Sequence, residues 1–293
     1  MHYRIAAAVL ACALAFAPTP APAQEPAAAD TVREIELADG SRIYGRVVED
    51  AGGRLVVETV GGVRMELARE QVRSMRPVAG RVVGGALWPE DPHASRLFFG
   101  PTARAIPQGE GYLGVYELFF PFVSYGLTDR LTISGGTPII PDAIGEIFYL
   151  APKLEVLRTT GASAAVGVLA VFATQNAFDG SVGLLYAVGT LGEPDRAVSF
   201  GATVPFYAAS GESDIGRDPI FMVGGEARLT RRTKLLTENY FAAGETGGVV
   251  SGGVRFFGER LSADFGVAAF LGDDNSFCCI PLVNFVYSFG GPR

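Results

Sequence analysis

The sequence predicts an all-β chain in which residues 96–289 form a closed antiparallel transmembrane β-barrel, preceded by a small β domain. Three observations lead there. Apolar residues alternate with small or polar ones over most of the last two thirds of the chain. The connections between these runs alternate between tight and longer. Ionisable residues within the runs fall on the parity opposite the large apolar side chains.

The alternation is cleanest at residues 197–206, where Val198, Phe200, Val204 and Phe206 share one parity and Ser199, Gly201 and Thr203 the other. Successive side chains of a strand point to opposite faces, so one face is apolar and the other small and polar. The same rule separates Val250, Val254 and Phe256 from Ser251, Gly253 and Arg255. It also separates Leu261, Ala263, Phe265 and Val267 from Ser262, Asp264 and Gly266, and Val283, Phe285, Tyr287 and Phe289 from Asn284 and Ser288. In a membrane barrel the apolar face meets lipid and the other lines the lumen. In a soluble sandwich the apolar faces would pack on each other.

From the N-terminus, Arg4 opens an apolar run, Ile5 to Phe16, and Ala21-Pro22-Ala23 offers small residues at a cleavage site. Residues 1–23 therefore read as a secretory signal peptide that includes Cys12. Residues 33–78 are more charged, with short β-rich runs separated by Asp39-Gly40, Gly52-Gly53 and Gly61-Gly62, each a hairpin signal. Residues 79–95, rich in Gly and Pro, read as a linker that holds the only tryptophan, Trp88, a candidate interface anchor or inter-domain packing residue.

The barrel strands are expected at 96–106, 110–126, 130–138, 146–158, 162–175, 178–191, 196–208, 218–229, 233–243, 247–257, 260–271 and 278–289. This is an even count, as a single-chain barrel with both ends on one side requires. The tight set of connections includes Thr128-Asp129, Thr159-Thr160-Gly161, Glu193-Pro194-Asp195, Thr230-Arg231-Arg232 and Gly258-Glu259. The other set, generally longer, includes 139–145, Asn176-Ala177, 209–217, 244–246 and 272–276. Tyr125, Phe148, Tyr149, Tyr207, Phe221, Tyr240, Phe241, Phe256 and Phe257 lie near strand ends, where interfacial girdles gather aromatics.

Lys153 and Glu155, Glu226 and Arg228, and Arg255 with Asp264 fall on the lumen parity and are the candidate lumen-lining residues. Arg or Lys facing lipid at the midplane would cost about 2–4 kcal/mol, so these groups are expected to point inward and pair. Glu117 and Glu238 are not assigned a face, because their runs alternate poorly. The contents of the lumen stay open between a polar path and a salt-bridged plug.

Composition supports a barrel, with 38 glycines and only 19% charged residues in 293. The net charge of −7 offers no basic footprint for nucleic acid. The only histidines are His2 and His93, one in the signal and one in the linker, so no imidazole is expected within the barrel to act as a base. Nucleotide-binding loops and metal-ligand clusters are absent from the motifs, and catalytic, cofactor and metal residues are assigned as none. Cys278 and Cys279 are adjacent, face opposite sides of a strand, and read as two small strand residues rather than a disulfide.

Two resemblances follow from these residues. The segment Leu37-Ala38-Asp39-Gly40-Ser41-Arg42-Ile43-Tyr44-Gly45-Arg46-Val47-Val48 resembles the opening strands of SH3-like or Sm-like small barrels. The run from Phe122 to Ile133, with its strand, tight turn and strand, resembles bacterial outer-membrane β-barrel proteins. The closing Val283-x-Phe285-x-Tyr287-x-Phe289 resembles their terminal assembly signal, although this chain continues to Arg293. The resemblances imply a Gram-negative-type outer membrane, with lipid and the barrel-assembly machinery as partners. They imply a passive channel, transporter or membrane scaffold whose residues 33–78 face the periplasm and take a protein or peptide partner. The competing expectation is a soluble periplasmic all-β structural or binding protein.

Overall fold

The computed structural model of the chain describes residues 31–290, apart from 79, 142–143, 174–179, 210–211, 245–246 and 273–276. The signal-peptide reading of residues 1–23, with Cys12, lies outside the described residues, as does the Asn176-Ala177 connection. Two compact units meet in sequence between Glu90 and Asp91.

In the first unit, β1 (Arg33–Leu37), β2 (Arg42–Ala51), β3 (Arg54–Thr59), β4 (Arg64–Ala68) and β5 (Val72–Pro77) form one antiparallel sheet of order β4-β3-β2-β1-β5. The diglycine between β2 and β3 carries φ of 61° and 76°, a left-handed pair that suits a two-residue hairpin and that side-chain-bearing residues adopt at a cost. At the β1–β2 turn the Asp39 carboxylate accepts the Ser41 N–H at 2.8 Å, and this bond holds its pKa below the usual value. Ile35, Leu55, Val57 and Leu67 bury a small core. A single 3-10 turn, Arg69–Gln71, joins β4 to β5, and no pairing between those two strands is present among the described residues.

The span expected as a linker, 79–95, is more ordered than its composition suggests. It holds a hairpin of β6 (Gly80–Val83) and β7 (Ala86–Pro89) turning at Gly84-Gly85, with the Arg81 guanidinium 5.6 Å from the Trp88 ring centroid. Its last residues, from Asp91, belong to the second unit, where Asp91, His93 and Ser95 are buried.

The second unit is built from β8 (Gly111–Tyr116), β9 (Phe120–Gly126), β10 (Leu131–Gly136), β11 (Ile147–Thr159), β12 (Ala162–Ala173), β13 (Ser181–Glu193) and β14 (Arg196–Ala209). It continues through β15 (Glu212–Ile215), β16 (Ile220–Thr230), β17 (Thr233–Ala242), β18 (Gly248–Phe257), β19 (Leu261–Leu271) and β20 (Phe277–Phe289). These make one 13-stranded antiparallel sheet in which β15 pairs only with β14, leaving twelve strands in a ring closed by β20 against β8. Closure of the twelve-stranded ring joins its first and last strands, which is what a sheet surrounded by lipid requires. Pairing of Gly111 with Phe289 puts both barrel ends on the side of the tight turns.

Two expected strands are placed differently. Residues 96–106 are not a barrel strand, and 110–126 is two strands, β8 and β9, reversing at Glu117-Leu118 with φ of 50° and 63°. The two errors cancel, so the even count survives while the identity of the first strand changes. The turn sits where neither residue carries a Gly, Asn or Pro signal. It also explains the poor alternation around Glu117, whose carboxylate accepts the Val283 N–H at 3.2 Å.

The large apolar parity faces outward all round the ring. Leu113, Val166, Val198, Phe200, Val223, Phe265 and Val267 are each 42–53% exposed. The sandwich expectation is therefore not met: these side chains pack on no second sheet. Of the expected girdle aromatics, Phe148, Phe221, Phe241 and Phe256 are exposed, whereas Tyr149 and Tyr240 pack against interior clusters and Phe257 is buried. Cys278 and Cys279, expected as separate strand residues, are joined by a disulfide.

Candidate functional site

The barrel interior on the tight-turn side is filled by the chain's own residues 91–107. This segment has no regular strand structure beyond an isolated bridge between Arg96 and Pro101, yet Leu97, Phe98 and Thr102 are fully buried. Buried backbone without a ladder must find its hydrogen bonds elsewhere, because an unmet N–H or C=O costs about 1–3 kcal/mol. The inward-facing side chains of the barrel meet that demand.

Glu238 on β17 serves the donors. Its carboxylate accepts three successive N–H groups of the segment's turn, Phe98 at 2.7 Å, Phe99 at 3.0 Å and Gly100 at 3.0 Å, and the Tyr240 hydroxyl at 2.7 Å. A carboxylate offers about four lone-pair positions, and all are used. Lys153 on β11 serves the acceptors: its ammonium donates to the carbonyls of Ser95 at 3.1 Å, Thr102 at 2.9 Å and Arg104 at 2.7 Å. Arg255 on β18 donates to the carbonyls of His93 and Leu97 and holds Asp264 on β19 at 2.7 Å. Glu155 accepts the Ala105 N–H at 2.9 Å, Thr132 the Ile106 N–H at 2.9 Å and Thr190 the Ala103 N–H at 2.9 Å.

The charges are also paired across the plug. Arg96 reaches Asp264 at 2.7 Å, Asp91 takes Lys234 at 2.9 Å and Arg255 at 3.2 Å, and Glu226 takes Lys234 at 2.7 Å together with Arg104. Glu155 is paired with Arg158 on its own strand, and Arg228 with Asp195 at 2.7 Å. Such pairs repay desolvation only when geometry and additional hydrogen bonds are good; Arg255 meets that condition with carbonyls of His93 and Leu97, whereas Arg96 leaves Nε and Nη2 without a partner among the described residues. Apolar fit completes the plug. A Cβ added at Gly224 would lie 2.3 Å from Leu97 Cδ1, and one at Gly266 3.0 Å from Phe98 Cζ. These glycines leave the room that the plug's two large side chains occupy.

All six residues singled out by parity, Lys153, Glu155, Glu226, Arg228, Arg255 and Asp264, lie on the barrel strands, and five of them are buried around the plug. Arg228 stands apart near the tight turns, its guanidinium over the Phe257 ring at 4.8 Å. Sequence reasoning left Glu238 unassigned and missed Lys234, Asp91, Arg96 and Arg104. For Lys234 and Glu238 the signal was available, since both share the parity of Leu236 and Tyr240 on one strand. For Asp91, Arg96 and Arg104 it was not, because nothing in their spacing announces a chain folded back into a lumen.

The expectation that no imidazole lies within the barrel is overturned. His93 is fully buried there, its ring edge-on to Tyr112 at 5.1 Å and its Nε2 2.9 Å from Ser288 Oγ. A histidine beside a serine invites a nucleophile reading. Here Nδ1 has no hydrogen-bond partner among the described residues, none of whose acids therefore orients the ring, and the nearby Asp91 carboxylate is already held by Lys234 and Arg255.

The class defined by this fold and interior is a closed β-barrel with an apolar outer face and a lumen plugged by its own chain. No protein-family model matches the sequence, and no curated protein matches it. Similar solved structures include the KdgM porin in complex with disordered oligogalacturonate, with TM-score 0.45 and 9% identity over 61% of this chain and 98% of that one. Another is OmpTdeltaL8, a loop L8 deletion mutant of an outer membrane protein of Vibrio cholerae, with TM-score 0.37 and 12% identity over 88% of this chain and 96% of that one. A third is the Ralstonia pickettii toluene transporter TbuX, with TM-score 0.29 and 11% identity over 88% of this chain and 86% of that one. Each is a likeness in barrel architecture alone.

Proposed function

We propose that the chain is an outer-membrane β-barrel channel of a Gram-negative-type bacterium, closed at rest by residues 91–107 and opened when that segment moves. The observation that carries this reading is the Glu238 carboxylate gripping three consecutive plug N–H groups from the barrel wall. Lipid covers the apolar outer face, and the barrel-assembly machinery reads the terminal strand. Residues 33–78 face the periplasm as a small SH3-like or Sm-like module for a protein or peptide partner. The strand order β4-β3-β2-β1-β5 with a single 3-10 turn before β5 supports that organisation.

Planar-bilayer conductance tests the channel. The wild-type protein should be silent or nearly so, and Glu238→Gln combined with Lys153→Met should give stepwise currents. A specific observation favours a second reading, a permanently closed scaffold: the plug's backbone is bonded to the wall at nearly every turn. Persistent silence of the double variant, with its folded state verified by heat-dependent gel mobility, would favour the scaffold and end the channel proposal.

A further inference from the structure

The lumen is divided along its length. Inward-facing ionisable groups sit toward the tight turns, where the plug uses them. Toward the longer loops the same parity carries no charged side chain on the described part of the twelve ring strands: Tyr149 follows from Lys153, Leu184 and Tyr186 from Val188, Val249 from Arg255, and Ile280 from Asn284. On β15, outside the ring, Asp214 and Glu212 fall on this parity, set opposite Tyr207 and Ala209. Continuous register along β12 and β13 sets Leu169 opposite Leu184 on this face.

These residues enclose the plug turn. Tyr186, Tyr240, Val249 and Ile280 pack around the cluster that contains Leu97 and Phe98, and Tyr149 packs with Tyr116 on the neighbouring cluster around Phe122. Phe99, next in the turn, is 39% exposed although it sits inside the ring, and its ring lies 5.3 Å from that of Tyr116. Tyr149, Leu169, Leu184 and Tyr186 are only partly buried although they face inward, so each leaves part of its side chain open to solvent beyond the plug. The hydroxyls of Tyr149 and Tyr186 have no hydrogen-bond partner among the described residues, and neither is sealed from solvent.

We infer that this loop-side cup, walled by aliphatic and tyrosine side chains and floored by the plug turn, is a binding site for a small uncharged aromatic or amphipathic molecule. Apolar walls with a few placed polar groups are the usual make-up of a small-molecule site. Tyrosine supplies ring faces for stacking and a hydroxyl for one polar atom of the ligand. An anionic solute would find no counter-ion on this face of the ring strands, because the lumen cations below are already paired with carboxylates or with the plug, and the only charges of the same parity nearer the loops among the described strand residues are the Glu212 and Asp214 carboxylates of β15. The inference does not depend on conduction. Ligand binding by the wild-type protein together with persistent silence of the Glu238→Gln, Lys153→Met double variant in bilayers would remove the channel proposal and leave the cup intact.

Calorimetric titration of the full-length protein in detergent with 1-naphthol, corrected for micelles alone, tests it. Saturable binding at one site is expected, with 1-naphthalenesulfonate binding at least roughly tenfold more weakly for want of a counter-ion. Leu184→Trp, which fills the cup without adding charge, should weaken 1-naphthol binding by roughly tenfold or more, and Val267→Ala on the outer face should leave it unchanged. Leu184→Arg repeats the test with a charge, and heat-dependent gel mobility establishes that each variant is folded. Absence of saturable 1-naphthol binding, equal binding of the sulfonate, or full affinity in folded Leu184→Trp would each overturn the site.

Discussion

At the scale of single residues, the barrel wall uses side-chain charge to complete a backbone that has no ladder of its own. Glu238 and Lys153 are complementary in this respect, one accepting three N–H groups and the other donating to three carbonyls. Removing either leaves several buried polar groups unmet at once. Lys153→Met should therefore destabilise the folded barrel by about 3–5 kcal/mol in urea titrations. By contrast Glu66→Ala, which removes the exposed pair with Arg54 at 3.2 Å in the first unit, should cost less than about 1 kcal/mol. Comparable losses for the two variants would mean that Lys153 is not holding the plug.

At the scale of elements, the strands of regular alternation were legible in the sequence because period-two patterning is what a two-faced sheet imposes. Those from β11 to β20 lie within a few residues of the runs read from residue 146 onward, apart from the short β15. The plug was not legible, and the reason is physical. Residues 96–106 reverse at a tight turn between Arg96 and Pro101 and carry buried apolar side chains, so they share the composition of a strand while taking many of their hydrogen bonds from wall side chains rather than from a neighbouring ladder. The β8–β9 turn escaped for the opposite reason: Glu117 and Leu118 hold a left-handed conformation that short-range signals assign to Gly or Asn. Replacing Leu118 with glycine should relieve that cost and raise stability by about 1 kcal/mol in the same titration, provided Glu117 keeps its bond to Val283. A loss of stability would contradict the turn. The lumen charges were found by parity alone, but their partners were not, since Asp91, Arg96 and Arg104 precede every strand of the ring.

At the scale of the whole barrel, the two faces make separate demands. The outer face exposes Phe265 at 42% and Val267 at 53%, so Phe265→Arg should cost about 2–4 kcal/mol if it lies near the bilayer midplane. The protein should also lose monodispersity when detergent is withdrawn, and recovery as a monodisperse soluble species would contradict the membrane placement. The inner face is filled toward the tight turns, and toward the loops its described ring strands carry no charged side chain. The central claim is that wall carboxylate and ammonium groups hold residues 91–107 in the lumen, and amide hydrogen exchange reads it directly. Strong protection of the Phe98, Phe99 and Gly100 amides is expected in the wild-type protein and its loss in Glu238→Gln, with the β17 and β18 ladder still protected. Exchange of those three amides at the rate of an unstructured chain in the wild type would contradict it.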